Sequence, residues 1–220
     1  MGIDYAANLR NVRARIERAC DAANRDPAGI TLIAVSKTYP AEAVRALYDL
    51  GHRHFGESRL QEALPKVESL PHDIVWHFIG RLQSNKARRV ADTFDAVHTL
   101  ETDGQLREIA KSRRAIDGLI EVNLANEPQK GGRLLSDITV FSENVVQCPN
   151  VRFRGLMAIG PAGLSNEALR PLYQGLAEAN ARLGGTWLSL GMSGDLEAAI
   201  AEGATHVRVG TALFGSRQAS

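Results

Sequence analysis

Lys37 follows a short apolar run, Thr31-Leu32-Ile33-Ala34-Val35-Ser36, and stands just before a helix start at Pro40. A lysine at the carboxyl end of a first barrel strand lies where (β/α) folds keep their chemistry. Partial desolvation there favours the free amine, the form that condenses with an aldehyde to give a Schiff base. Lys86 and Lys130 also follow expected strands, but Lys130 lies in a polar Gly-rich loop and Lys86 beside Arg88 and Arg89. Both are therefore expected to face water. Near the other end of the chain, Gly191-Met192-Ser193-Gly194-Asp195-Leu196 and Val209-Gly210-Thr211 each break from a strand into a helix. Glycines allow close backbone approach, Ser193 offers a hydroxyl, and a helix N-terminus presents unpaired N–H groups to an anion. The alternative for the first turn is an ordinary cap, with Ser193 capping and Asp195 and Glu197 complementing the helix dipole. A phosphate fits only if those carboxylates point away. A covalent amine anchor with a phosphate cup suggests pyridoxal 5′-phosphate.

The segment His206-Val207-Arg208-Val209 alternates, so His206 and Arg208 share one face and the valines the other. An inward arginine needs a partner. One candidate is a buried ion pair with Glu57. The other is the cofactor's ring nitrogen, whose protonation an arginine disfavours, leaving the ring a weaker electron sink. His52-Arg53-His54 has the HxH spacing of a metal pair, yet it precedes its strand and so lies away from the barrel mouth. His72, His77 and His98 add no second tight metal spacing, and no metal is expected. His77 is read as a core histidine, with a place in the pocket wall as the alternative.

Positioning these groups requires regular elements. Strands are expected at 30–36, 53–57, 74–80, 95–99, 117–123, 151–157, 186–190 and 205–209. Helices are expected at 40–50, 58–69, 84–92, 103–114, 133–147, 165–183, 194–202 and 211–216. An opening amphipathic helix covers 4–24, with Leu9, Val12, Ile16 and Ala19 or Cys20 on one face. Eight β-α units repeat about every 25 residues, which predicts a parallel sheet closed into a single α/β (β/α)8 TIM barrel. A doubly wound open sheet would start from a GxGxxG turn after its first strand, and none is present. No linker or composition shift divides the chain, so 1–220 reads as one domain, with 1–29 as a helix and linker packing on the barrel.

The 220 residues are 44% hydrophobic and 23% charged, enough for one substantial core. A net charge of +1 with 5% aromatics argues against nucleic acid and anionic membranes as partners, and the basic clusters read as solvated helix faces. Cys20 and Cys148 fit no CxxC or zinc spacing and read as reduced structural thiols. No apolar signal region opens the chain, Ala6 breaks a myristoylation motif at Gly2, and no run approaches the roughly 20 apolar residues of a membrane span. A cytoplasmic location is expected.

Several motifs occur in order along nearly the whole chain: Ala34-Val35-Ser36-Lys37-Thr38, Phe55-Gly56-Glu57-Ser58, Trp76 through Lys86, Arg154-Gly155-Leu156-Met157-Ala158-Ile159, Leu190 through Asp195, and Val207-Arg208-Val209-Gly210-Thr211. Together they resemble the pyridoxal-phosphate homeostasis protein family, one-domain relatives of the alanine racemase barrel. The resemblance implies that Lys37 holds the cofactor as a Schiff base. It also implies that Ser193, Gly194, Gly210 and Thr211 hold its phosphate and that Arg208 faces the pyridine nitrogen. Ser58 stands where the family usually has asparagine, and Gly160-Pro161-Ala162-Gly163 is an unusual continuation of its strand.

The related racemases carry a further β domain that supplies a second acid/base, and this chain ends at Ser220. Racemisation needs a proton donor on the ring face opposite Lys37, and Tyr39, Tyr48 and Tyr173 do not obviously provide one. The expected role is therefore non-catalytic: a monomeric carrier that buffers, stores or transfers cofactor, with apo-enzymes as transient partners. The competing readings are a true pyridoxal-phosphate enzyme such as a racemase or lyase, a Schiff-base aldolase gripping a sugar phosphate, and a metal hydrolase on His52 and His54.

Overall fold

A computed structural model of the chain describes residues 3–215. Eight parallel strands close into a barrel in sequence order, the last pairing with the first. They are β1 (Thr31–Val35), β2 (His54–Glu57), β3 (Val75–Phe78), β4 (Ala96–Leu100), β5 (Ile116–Val122), β6 (Val151–Ala158), β7 (Trp187–Ser189) and β8 (His206–Val209). Each expected strand is present, with its ends within two residues of expectation. The surrounding helices are α2 (Ala41–Asp49), α3 (Leu60–Ser69), α4 (Ser84–Thr93), α5 (Asp103–Ile109), α6 (Ile138–Gln147), α7 (Asn166–Arg182), α8 (Leu196–Ala201) and α9 (Thr211–Phe214). Their apolar stripes, such as Ala43, Val44 and Leu47 on α2, pack on the outward faces of the strands.

The additional helix α1 (Tyr5–Ala22) is capped by Asp4, whose carboxylate accepts the Ala7 N–H at 2.8 Å. It buries Leu9, Val12, Ile16, Ala19 and Cys20 and packs against α2, α8 and α9. Each of its large apolar side chains contributes about 1.5–3 kcal/mol by burial. Cys20 and Cys148 are buried and unpaired. Among the described residues no helix is long and apolar enough to cross a membrane, and no three His, Cys, Asp or Glu side chains cluster as metal ligands.

Two helices differ from expectation by more than two residues at an end. α5 stops at Ile109 rather than 114, because residues 110–114 form turns and the Arg113 N–H is taken by Asp92. α6 begins at Ile138 rather than 133. Arg133 instead bridges to Val122, its guanidinium bonded to the Glu101 carbonyl and stacked 4.1 Å from the Phe141 ring centre. The expected end of α9 at 216 lies outside the described residues.

The barrel interior is unusually polar. Such barrels commonly fill with Val, Ile and Leu, whereas His77, His98 and Ser189 are fully buried here, with His206 and Arg208 nearly so. Burial pushes His52 down to about 4 and His206 to about 3, and holds His77 and His98 well below the ordinary value. The folded state therefore refuses protons that the unfolded chain accepts near pH 6.5, so stability is full above that pH and lost as pH falls towards the folded values. Between pH 7 and pH 5 we expect a loss of about 2 kcal/mol per buried histidine, read from urea midpoints at the two pH values. Equal midpoints would contradict neutral burial.

Candidate functional site

Six of the side chains and turns singled out in the sequence converge on one cavity of about 360 Å³ at the carboxyl end of the barrel. Lys37, Ser193, Gly194, Arg208, Gly210 and Thr211 line it, together with Val35, Tyr39, Ile79, Ile159 and Met192. Lys37 is half-buried, and among the described residues its ammonium has no ion-pair partner. The next residue, Thr38, has φ +69°, a left-handed conformation that strains a β-branched side chain. A turn closed by the Tyr39 N–H on the Ser36 carbonyl (3.1 Å) holds it there.

Beneath Lys37 lies a buried ion pair. Glu57 Oε1 accepts from Lys66 Nζ and from Ser36 Oγ, each at 2.6 Å, and Lys66 Nζ also donates to the Ser36 carbonyl at 2.9 Å. Glu57 is fully buried and its Oε2 has no hydrogen-bond partner among the described residues. The network pins the end of β1 from α3 and β2 and fixes where Lys37 leaves the strand. Lys66 was not anticipated from the sequence. Its signal was a lysine beside the apolar positions Ala63 and Leu70 on one helix face.

The two late turns are held side by side. The Arg208 N–H donates to the Gly191 carbonyl at 2.9 Å, so the chain leaving β7 runs against β8 up to Gly210. Gly191 has φ +85°, and a Cβ there would come within 2.6 Å of the Ala199 methyl, so the turn requires glycine. Ser193 does not cap α8, since Asp195 occupies that position. The Asp195 carboxylate is turned back, accepting from the Met192 N–H at 2.8 Å and from the buried Tyr173 hydroxyl. Glu197 pairs with Arg15 at 2.8 Å. Both carboxylates that could repel a phosphate are therefore engaged elsewhere. Arg15 Nη2 also donates to the Ser193 carbonyl at 2.9 Å, tying the turn to α1.

Arg208 is 5% exposed and is not paired with Glu57. Nη1 donates to Ser189 Oγ at 2.6 Å and Nη2 to the Ala158 carbonyl at 2.9 Å. Burial pushes the guanidinium below its ordinary value, partly offset by Asp195, Tyr173 and Glu121. Ser58 does not line the cavity; its carbonyl lies against Gly80, where a Cβ would approach it to 2.0 Å. Lys86 is half-buried on α4, away from the cavity. Lys130 is not free in water but pairs with Glu127 at 2.6 Å and donates to the Gly160 carbonyl at 3.2 Å. His52 and His54 sit at the opposite, amino-terminal end of the barrel, and His77 is a core residue. The lining role of Tyr39 was also missed. Its ring stacks on Phe214 at 4.7 Å and its hydroxyl donates to the Gly215 carbonyl at 2.8 Å.

The family described as alanine racemase, N-terminal domain, matches residues 7–218. The chain is 45% identical over 219 residues to a pyridoxal phosphate homeostasis protein of Pseudomonas aeruginosa, covering 96% of this chain and 95% of the relative. PipY of Synechococcus elongatus PCC7942, solved with PLP bound, superposes with a TM-score of 0.76 at 37% identity, covering 91% of this chain and 99% of that one. Alanine racemase from Corynebacterium glutamicum shares the fold, with a TM-score of 0.71 at 14% identity over 98% of this chain and 63% of the racemase. The chain belongs to the pyridoxal phosphate homeostasis proteins, within the alanine racemase N-terminal domain family.

Proposed function

We propose that this protein binds pyridoxal 5′-phosphate as a Schiff base on Lys37 and serves its homeostasis in the cytoplasm. It would hold the reactive aldehyde, buffer its free level and pass it transiently to apo-enzymes. The observation that carries this reading is the convergence of Lys37, Ser193, Gly194, Arg208, Gly210 and Thr211 on one cavity. The donor set fits the cofactor: a primary amine, two hydroxyls, glycine backbone and one guanidinium. Beyond Gly194 and its two chain neighbours, no heavy atom of the described residues lies within 4 Å of where a side chain at Gly194 would begin, which leaves the cup open to a ligand. A relative of 37% identity, PipY, was solved with PLP bound.

When bound, the cofactor supplies an aldehyde that condenses reversibly with a primary amine, releasing water. The chain's own residues do the rest. Lys37 leaves β1 at the cavity wall and presents its amine, while Thr38 and the Glu57–Lys66–Ser36 network fix its point of departure. Ser193 and Thr211 offer hydroxyls to the phosphate, and the turns before α8 and α9 offer backbone N–H groups. Arg208, donor-only and cationic, keeps the ring nitrogen unprotonated and so disfavours carbanion chemistry. Tyr39 and Tyr173 each spend their hydroxyl on a partner, Gly215 and Asp195, which supports holding over proton transfer to substrate. One domain and a monomer complete the proposal.

An absorption spectrum and intact mass after borohydride reduction test the reading. We expect a yellow band that bleaches on reduction and a mass gain of one cofactor per chain, with no turnover of added amino acids. A colourless protein that stays unlabelled when offered the vitamer and reductant would overturn it, and steady amino-acid turnover would replace carrier with enzyme.

A further inference from the structure

Five side chains from five strands form an unbroken hydrogen-bonded row through the barrel interior. His54 Nδ1 lies 3.1 Å from His77 Nε2, and His77 Nδ1 lies 3.0 Å from His98 Nε2. His98 Nδ1 is 2.9 Å from Ser189 Oγ, which accepts Arg208 Nη1–H at 2.6 Å. One end lines the cofactor cavity through Arg208. The other end, His54, lines a separate cavity of about 550 Å³ at the amino-terminal face, with Arg13, Glu17 and Arg53.

Hydrogen counting gives the row a direction. A neutral imidazole has one N–H and one lone pair, and an arginine only donates. Ser189 Oγ has a single hydrogen, and among the described residues its only partners are Arg208 and His98. Were His98 Nδ1 also to donate, the hydroxyl hydrogen would be left unpaired in the interior, at a cost of about 1–3 kcal/mol. Ser189 must therefore donate to His98 Nδ1. That puts the His98 hydrogen on Nε2, facing His77 Nδ1. The His77 hydrogen then also sits on Nε2, facing His54 Nδ1, and His54 carries its own on Nε2.

We propose that His98 and His77 are positioning residues for Arg208: the row locks one tautomer and turns a lone pair of Ser189 towards the guanidinium that faces the cofactor ring. This rests on the reading of Arg208 as the ring-nitrogen partner. The row leaves Arg208 one fixed side-chain acceptor and one main-chain acceptor, Ala158 O. The guanidinium is thereby held in orientation by neutral acceptors, with no carboxylate bonded to it among the described residues. An aspartate at position 189 would pair with Arg208 and cancel the charge that acts on the ring.

The test has two arms. In cofactor-free protein labelled with ¹⁵N-histidine, long-range ¹H–¹⁵N spectra at pH 7 should show His77 and His98 protonated at Nε2 and bare at Nδ1. An Nδ1–H tautomer or an imidazolium at His98 would overturn the row, whatever the protein binds. In the second arm, Ser189→Ala and His98→Phe should weaken pyridoxal phosphate binding about tenfold and shift the bound absorption band. Lys37 labelling should persist in both, and His98→Gln, which can accept from Ser189 and donate to His77, should restore wild-type behaviour. Wild-type affinity and an unshifted band in Ser189→Ala would overturn the positioning role, and that variant carries the arm if His98→Phe does not fold. Failure of the wild type to bind the vitamer at all would sink the cofactor reading, while the tautomer arm separately decides the direction of the row.

Discussion

Lys37→Ala is expected to give a folded but colourless protein that gains no mass after borohydride treatment with pyridoxal phosphate. The reason is chemical: only an uncharged primary amine at the cavity condenses with the aldehyde, and no second lysine reaches it. Among the described residues the cavity is lined by Lys37 alone of the lysines, while Lys130 is bound to Glu127 and Gly160 and Lys86 lies on α4. The noncovalent contacts proposed for Ser193, Thr211 and Arg208 would survive the substitution, so weak binding should remain. We expect affinity to fall by about 100-fold, close to 3 kcal/mol. Equilibrium dialysis gives the residual affinity and intact mass gives the covalent loss. Undiminished labelling of the variant would move the anchor to another amine and remove Lys37 from the site. Because Lys37 is half-buried and without an ion-pair partner among the described residues, thermal stability should change little.

Lys66→Met should be the most destabilising single change near the site. It removes the one cation facing a fully buried carboxylate, leaving Glu57 with only the Ser36 hydroxyl. Breaking one side of a buried pair costs about 3–5 kcal/mol, because the remaining charge has lost both water and its partner. The double variant Lys66→Met with Glu57→Leu should recover most of that loss, since paired replacement by apolar residues of similar size is often neutral. Urea denaturation of the single and double variants measures both terms. Loss of the Lys66 bond to the Ser36 carbonyl should also slow capture of cofactor by Lys37 in the single variant. A loss under about 1 kcal/mol would mean that water reaches Glu57 and that the pair is not a dry one.

The barrel was legible because its strands are short apolar runs at regular spacing, and helix starts follow each run. The convergence of the candidate residues on one cavity was legible for a related reason: Lys37, Ser193, Arg208 and Thr211 lie at or just beyond strand ends, and a parallel barrel gathers strand ends at one mouth. What could not be read was pairing across the interior. Charge alone made Glu57 one candidate partner for Arg208, but parallel register sets His77 opposite Gly56 and keeps Glu57 beside α3, where Lys66 reaches it. The histidine row was hidden in the same way. His54, His77 and His98 are 23 and 21 residues apart, and only the parallel pairing of the neighbouring strands β2, β3 and β4 brings their rings within hydrogen-bond distance. Helix ends at 114 and 133 were misjudged because the residues that stop them, Asp92 and Val122, belong to distant segments.

Arg15 carries one guanidinium across two structures, gripping Glu197 on α8 and the Ser193 carbonyl. The outer helix is thereby wired to the rim of the cup, and a tug on one is transmitted to the other. On the proposed reading of the Ser193 turn as the phosphate cup, loosening that tether should shorten the residence time of a phosphate far more than it alters how readily Lys37 reacts, because the tether holds that turn and not the amine.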